Sequence, residues 1–92
     1  MNDIYAINQS CDLIENNNNA IIFFNSKEKV FILNEIENEI FNLIKEKNTL
    51  DMITGKLSNK YSAEKELITN DVANFVDNLL KADLISNEEI IK

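Results

Sequence analysis

The chain holds sixteen carboxylates, one cysteine and no histidine. That inventory decides most of the chemistry open to it. Without histidine, general acid–base catalysis through imidazole, Ser-His or Cys-His nucleophiles and His-ligated metals are excluded. Several of the carboxylates fall where a helix begins. Glu35, Glu37 and Glu39 alternate with Ile36 and Ile40, and negative charge near a helix N-terminus is stabilised by the helix dipole, typically by ~0.3–1 kcal/mol. Asp51 reads the same way. The paired carboxylates of a hydrolase need a pocket, for which so short a chain has little room. No stretch has the one-three-five spacing, central Gly and terminal Glu of a calcium loop. Cys11 has no basic neighbour to activate it and reads as a small hydrophobe in a strand. No catalytic residue, metal site or cofactor is assigned.

Charge narrows the partners. A net charge of −7, with every basic residue a scattered Lys and no Arg, opposes nucleic acid and anionic membrane, both of which demand clustered cations. No apolar run approaches the ~18 residues of a membrane span, and no basic segment precedes an apolar one at the N-terminus. Cytoplasm is the expected address. A lone cysteine cannot form an internal disulfide, and 45% hydrophobic residues in 92 allow one small packed domain.

The chemistry that remains is that of the backbone, and strands and helices must position it. Val30-Phe31-Ile32-Leu33 is an extended apolar run that switches at Asn34 to helical spacing at Ile36, Ile40, Phe41 and Ile44. A strand therefore feeds directly into an amphipathic helix. Asn34 and Glu37, three residues apart, form a capping-box pattern. Before this join, Cys11–Ile14 and Ala20–Phe24 read as strands, separated by Asn16-Asn17-Asn18-Asn19, a turn whose residue type tolerates left-handed backbone. Residues 1–9 carry little pattern and read as a flexible arm.

After the join the spacing predicts three helices. The first spans 35–47, with Ile36, Ile40, Phe41, Leu43 and Ile44 inward. The second spans 50–58, capped by Thr49. The third spans 63–82, capped by Ser62, with Leu67, Ile68, Val72, Phe75, Val76, Leu79 and Leu80 at three- and four-residue steps. Leu84-Ile85 returns to the core, and residues 87–92 are a polar end. The predicted class is α+β: a three-stranded antiparallel sheet followed by three helices, winged-helix-like, in one domain over 10–86. A DNA-binding role would place the third helix in the major groove, where Glu64, Glu66, Asp71 and Asp77 would be repelled by phosphate. Acyl carrier proteins match in size and charge, but they are all-helical, and Asp83-Leu84-Ile85-Ser86 is not their Asp-Ser-Leu triplet.

In such a sheet the strand at Lys29–Leu33 lies at an edge, and its apolar stretch contains no charge or Pro to block pairing. An extended peptide could add a further strand there. The N-terminal arm or a second copy of the chain could equally cover that edge, and both alternatives stay open, as does the choice between monomer and homodimer.

These residues resemble the PqqD family, also called the RiPP recognition element. The likeness runs from about Cys11 to Ile85. It rests on the strand ending Leu33-Asn34-Glu35, on Ile40-Phe41, on Asp71-Val72 with Phe75-Val76 and Leu79, and on Leu84-Ile85. Asp83 stands where the family usually has Gly. The resemblance implies a non-catalytic module that binds the leader of a ribosomally made precursor peptide as an added strand. It also implies a modifying enzyme as second partner, a radical SAM protein or a leader peptidase. By resemblance the backbone of Lys29, Val30, Phe31, Ile32 and Leu33 pairs with the peptide, while Leu67, Ile68, Asp71 and Phe75 on the third helix line a groove beside it. An acidic winged-helix regulator and a structural, dimerising subunit are the alternatives.

Overall fold

A computed structural model describes residues 4–17, 19–62 and 64–88. The strands are β1 (Ile4–Ile7), β2 (Cys11–Asn16), β3 (Asn19–Phe24), β4 (Lys29–Leu33) and β5 (Ile85–Glu88), and the helices are α1 (Glu35–Lys45), α2 (Leu50–Tyr61) and α3 (Lys65–Lys81). The predicted three-stranded antiparallel sheet is present in the order β2-β3-β4, followed by the three helices.

Alternation builds the sheet. On β3, Ala20, Ile22 and Phe24 are buried against the helices while Ile21 faces out. The register sets Ala20 across from Leu33 and Ile22 across from Phe31, so the inward residues of β4 meet those of β3. A slip by one residue would turn every apolar side chain of the inner face outward. Asn17 makes the turn between β2 and β3 in left-handed backbone at φ 58°, as the Asn run predicts; Asn18 lies outside the described residues. The inner face packs on Ile40, Phe41 and Ile44 of α1, Ile53 and Leu57 of α2, and Val72, Val76 and Leu79 of α3.

The capping box at the join is present in full. Asn34 Oδ1 accepts from the Glu37 N–H at 2.8 Å, and Glu37 Oε1 accepts from the Asn34 N–H at 3.0 Å. Thr49 caps α2 by accepting from the Met52 N–H at 3.2 Å. Both α1 and α3 end in a left-handed residue, Lys47 at φ 64° and Asp83 at φ 63°. The amide of the following residue, Asn48 or Leu84, bonds five residues back to Leu43 or Leu79. That is the Schellman arrangement, which satisfies the last helical carbonyls.

Four expectations change. The arm is ordered from Ile4 onward, because β1 pairs antiparallel with β5, Ile4 across from Glu88 through Ile7 across from Ile85. Residues 1–3 and 89–92 lie outside the described ones. The polar end accordingly begins as a strand. Tyr5 and Ile85 anchor this second, two-stranded sheet in the core at 4% and 3% exposure, and neither short segment shows alternation enough to announce itself alone. Ser62 does not cap α3; it closes α2 in left-handed backbone, and Glu64 occupies the cap position with no side-chain bond. Ile36 is 43% exposed, because in the first turn of α1 it faces a cleft toward α3 rather than the core.

Candidate functional site

The three-stranded sheet has two edges, and they are built differently. The β2 edge carries Asp12 and Glu15 within the strand; Asp12 accepts from Asn25 Nδ2 at 2.7 Å and Glu15 from Asn38 Nδ2 at 3.0 Å. Inward or strand-borne charge is a standard device against strand addition. The β4 edge has no such guard. Val30, Phe31, Ile32 and Leu33 are uncharged, and Lys29 stands only at the entrance. Among the described residues nothing pairs with the outer side of β4. The described part of the N-terminal arm does not cover it, since β1 is drawn to β5 and Asn8 is tied to the end of α3 through Leu84 and Asp83.

Successive side chains of β4 divide as the period of two requires. Leu33 is buried and Phe31 packs half-buried on the core, while Val30 and Ile32 face solvent at 56% and 77% exposure. An incoming strand would find backbone donors and acceptors at the edge.

Beyond the end of β4 a cleft of about 290 Å³ lies between the first turn of α1 and α3. Asn34, Ile36, Glu37 and Ile40 form one wall; Asp71, Asn74, Phe75 and Asn78 form the other. The predicted groove residues Asp71 and Phe75 are thus brought together at this cleft. Leu67 lies one turn earlier on the same stripe and is exposed. Ile68 does not share the stripe: it is buried in the core row with Val72, Val76 and Leu79, because steps of four from 68 turn onto the inner side of α3. Asn74 and Asn78 were missed, although positions 67, 71, 74, 75 and 78 follow one helical face and the spacing alone could have found them. No hydrogen bond among the described residues engages the side chains of Asp71, Asn74 or Asn78. Beside the Asn34–Glu37 capping pair, the cleft therefore offers one further carboxylate and two further amides, with Ile36, Ile40 and Phe75 as its apolar lining.

Two other groups are accounted for by packing. Partial burial pushes the Cys11 thiol up from its ordinary value, and Asp12 adds to it, so the thiolate that reactivity needs is disfavoured. Partial burial of Glu39 opposes its ionisation, yet hydrogen bonds from Lys60 and Tyr61 outweigh it and hold the carboxyl below the usual range. Lys60 Nζ lies 2.8 Å from Glu39 Oε1, and the Tyr61 hydroxyl donates to the same oxygen. This triad clamps α1 to α2. No helix among the described residues is long and apolar enough to cross a membrane.

Residues 19–85 match the model of the family described as coenzyme PQQ synthesis protein D. The chain belongs to the PqqD family. Two solved structures share its fold. "TbiB1 in complex with the TbiA(beta) leader peptide" superposes with a TM-score of 0.81 at 16% identity, over 94% of this chain and 98% of that one. "Lasso peptide synthetase B1 complexed with the leader peptide" gives a TM-score of 0.82 at 12% identity, over 89% and 96%. The curated proteins yield no significant match. The matched region begins with β3 and includes β4, the join at Asn34 and all three helices.

Proposed function

We propose that this protein is a non-catalytic module that captures the leader segment of a ribosomally made precursor peptide and presents the precursor to a modifying enzyme. The observation that carries the reading is the unguarded β4 edge beside the α1–α3 cleft, in a sheet whose opposite edge is guarded. The leader joins as a fourth strand along Lys29–Leu33. Main-chain hydrogen bonds supply affinity, and alternate side chains supply specificity. Phe31, Leu67 and Phe75 meet its inward residues, Ile68 supports them from the core, and Asp71 receives a Lys, an Arg or an amide. Family membership and the two leader complexes that share the fold support this reading. The enzyme partner is a radical SAM protein or a leader peptidase, and the setting is the cytoplasm.

The test is an amide-shift titration of the isotopically labelled chain with the N-terminal half of a short peptide encoded beside its gene. Shifts should concentrate at Lys29–Leu33 and along Leu67, Asp71 and Phe75. Saturable binding that perturbs only the β2 edge or the α1–α2 face would refute the placement, and absence of binding by every such peptide would refute the function.

A further inference from the structure

The outer face of the β2-β3-β4 sheet is apolar where a solvent-facing sheet is ordinarily polar. Ile14 stands across from Ile21, and Ile21 across from Ile32, so three isoleucines form one row over three strands. In the neighbouring row Phe23 lies between Asp12 and Val30. The helices pack only on the other face. Exposure is 36% at the central Ile21 and rises to 77% at Ile32, on the open edge. Both rows therefore run out of neighbours where β4 ends the sheet.

We infer that the ligand strand is read on both of its faces. Its outward residue across from Ile32, and the one two positions away across from Val30, are β-branched or aromatic, and they complete the rows begun by Ile14–Ile21 and by Phe23. The inference rests on the strand-addition reading and names the peptide class it takes: apolar at alternate outward positions as well as inward. The continuity of the rows with the unpaired edge identifies the occupant, because a strand added at β4 places a side chain next in each row by the pleat alone. Cross-strand pairs of this kind are the unit of sheet stabilisation. A second copy of the chain fits less well. Five partly exposed side chains fall short of the ~20–30 residues a side of a standard interface, and each copy carries a charge of −7.

The probe is a phage-displayed library of random dodecapeptides, selected on the immobilised full chain, with enriched peptides then synthesised. N-methylating each peptide amide in turn tests strand addition without altering the protein: loss of binding at every second position is expected. Serine is then substituted at the peptide residue nearest Ile32, alone and with Ile32→Ser in the protein. Each single change should weaken binding about two- to fivefold, and the pair should cost little more than either alone, since they remove one shared contact. A library without N-methyl-sensitive binders overturns the strand-addition reading itself. Binders that are N-methyl-sensitive yet indifferent to Ile32→Ser, with polar residues at outward positions, overturn only this inference. So does sedimentation showing that Ile32→Ser dissociates a dimer while peptide affinity is unchanged, which would make the second copy the occupant.

Discussion

Asn34 and Glu37 bond each other reciprocally at the residue where β4 becomes α1, at 2.8 and 3.0 Å. The pair sits at the mouth of the α1–α3 cleft, so one local motif fixes the helix start, the end of the open strand and one wall of the site. Asn34→Ala removes the acceptor for the Glu37 N–H. It should cost about 1 kcal/mol of stability, within the usual ~0.5–2 kcal/mol range for lost caps. Asn34→Asp keeps an acceptor and adds favourable charge at the helix start, so it should stay near wild type. Urea denaturation of the two variants checks both.

Asp83 holds a backbone conformation that costs a side chain roughly 1–2 kcal/mol, at φ 63°. Its Oδ2 reaches Lys27 Nζ at 2.7 Å, which joins the end of α3 to the turn between β3 and β4 and holds its carboxyl below the ordinary value. Both groups are well exposed, so the ion pair contributes little. Asp83→Gly relieves the left-handed strain and loses that weak pair, so it should be neutral or stabilising. Asp83→Ala keeps the strain and loses the pair, and should lower the melting temperature. A melting temperature of Asp83→Gly below that of Asp83→Ala would contradict this account of the Schellman end.

The strands, the helices and the join were legible because each is written in local pattern: alternation along Ala20–Phe24, the abrupt change of period at Asn34, and caps at Asn34 and Thr49. The second sheet was not. Ile4–Ile7 and Ile85–Glu88 are four residues each, nearly the full chain apart, and they become strands only when folding brings them together. Ser62 misled because its residue type suits a cap, while its backbone serves the preceding helix. At the site, the unguarded edge could be read from the absence of charge in Val30–Leu33. The α1 wall of the cleft could not, since spacing placed Ile36 inward and only the position of α3 shows what it faces.

Glu39, Lys60 and Tyr61 give the α1–α2 contact a pH dependence. The carboxyl is held below its ordinary value by its two hydrogen-bond donors. A group whose folded pKa is depressed stabilises the fold above its unfolded pKa, about 4.3 for Glu, and loses that contribution as the pH falls through the lower folded value. Glu39→Gln should therefore be less stable than wild type near neutral pH, and the gap should close under acid. Urea midpoints at about pH 6 and pH 3 measure it. The same contact raises the Tyr61 hydroxyl, chiefly through its hydrogen bond to Glu39, so ultraviolet titration of Glu39→Gln should show a tyrosine ionising at lower pH than in wild type.

Asp71 discriminates between a recognition cleft and a merely solvated dent. Its side chain lines the cleft, is exposed, and has no hydrogen bond among the described residues. Asp71→Asn keeps the shape and removes the charge, so stability should change by less than about 0.5 kcal/mol, as for other surface substitutions. A bound peptide with Lys or Arg above Asp71 covers the pair from water, which places its worth at the upper end for surface pairs, about 1 kcal/mol or fivefold in affinity. That difference should shrink in high salt, as screening requires. A peptide with neutral residues there should bind both proteins alike. Fluorescence anisotropy with the two peptides, at low and high salt, separates these cases. If Asp71→Asn lowers the melting temperature and leaves affinity for the basic peptide unchanged, Asp71 is a structural residue and the cleft is not where the peptide's charge is read.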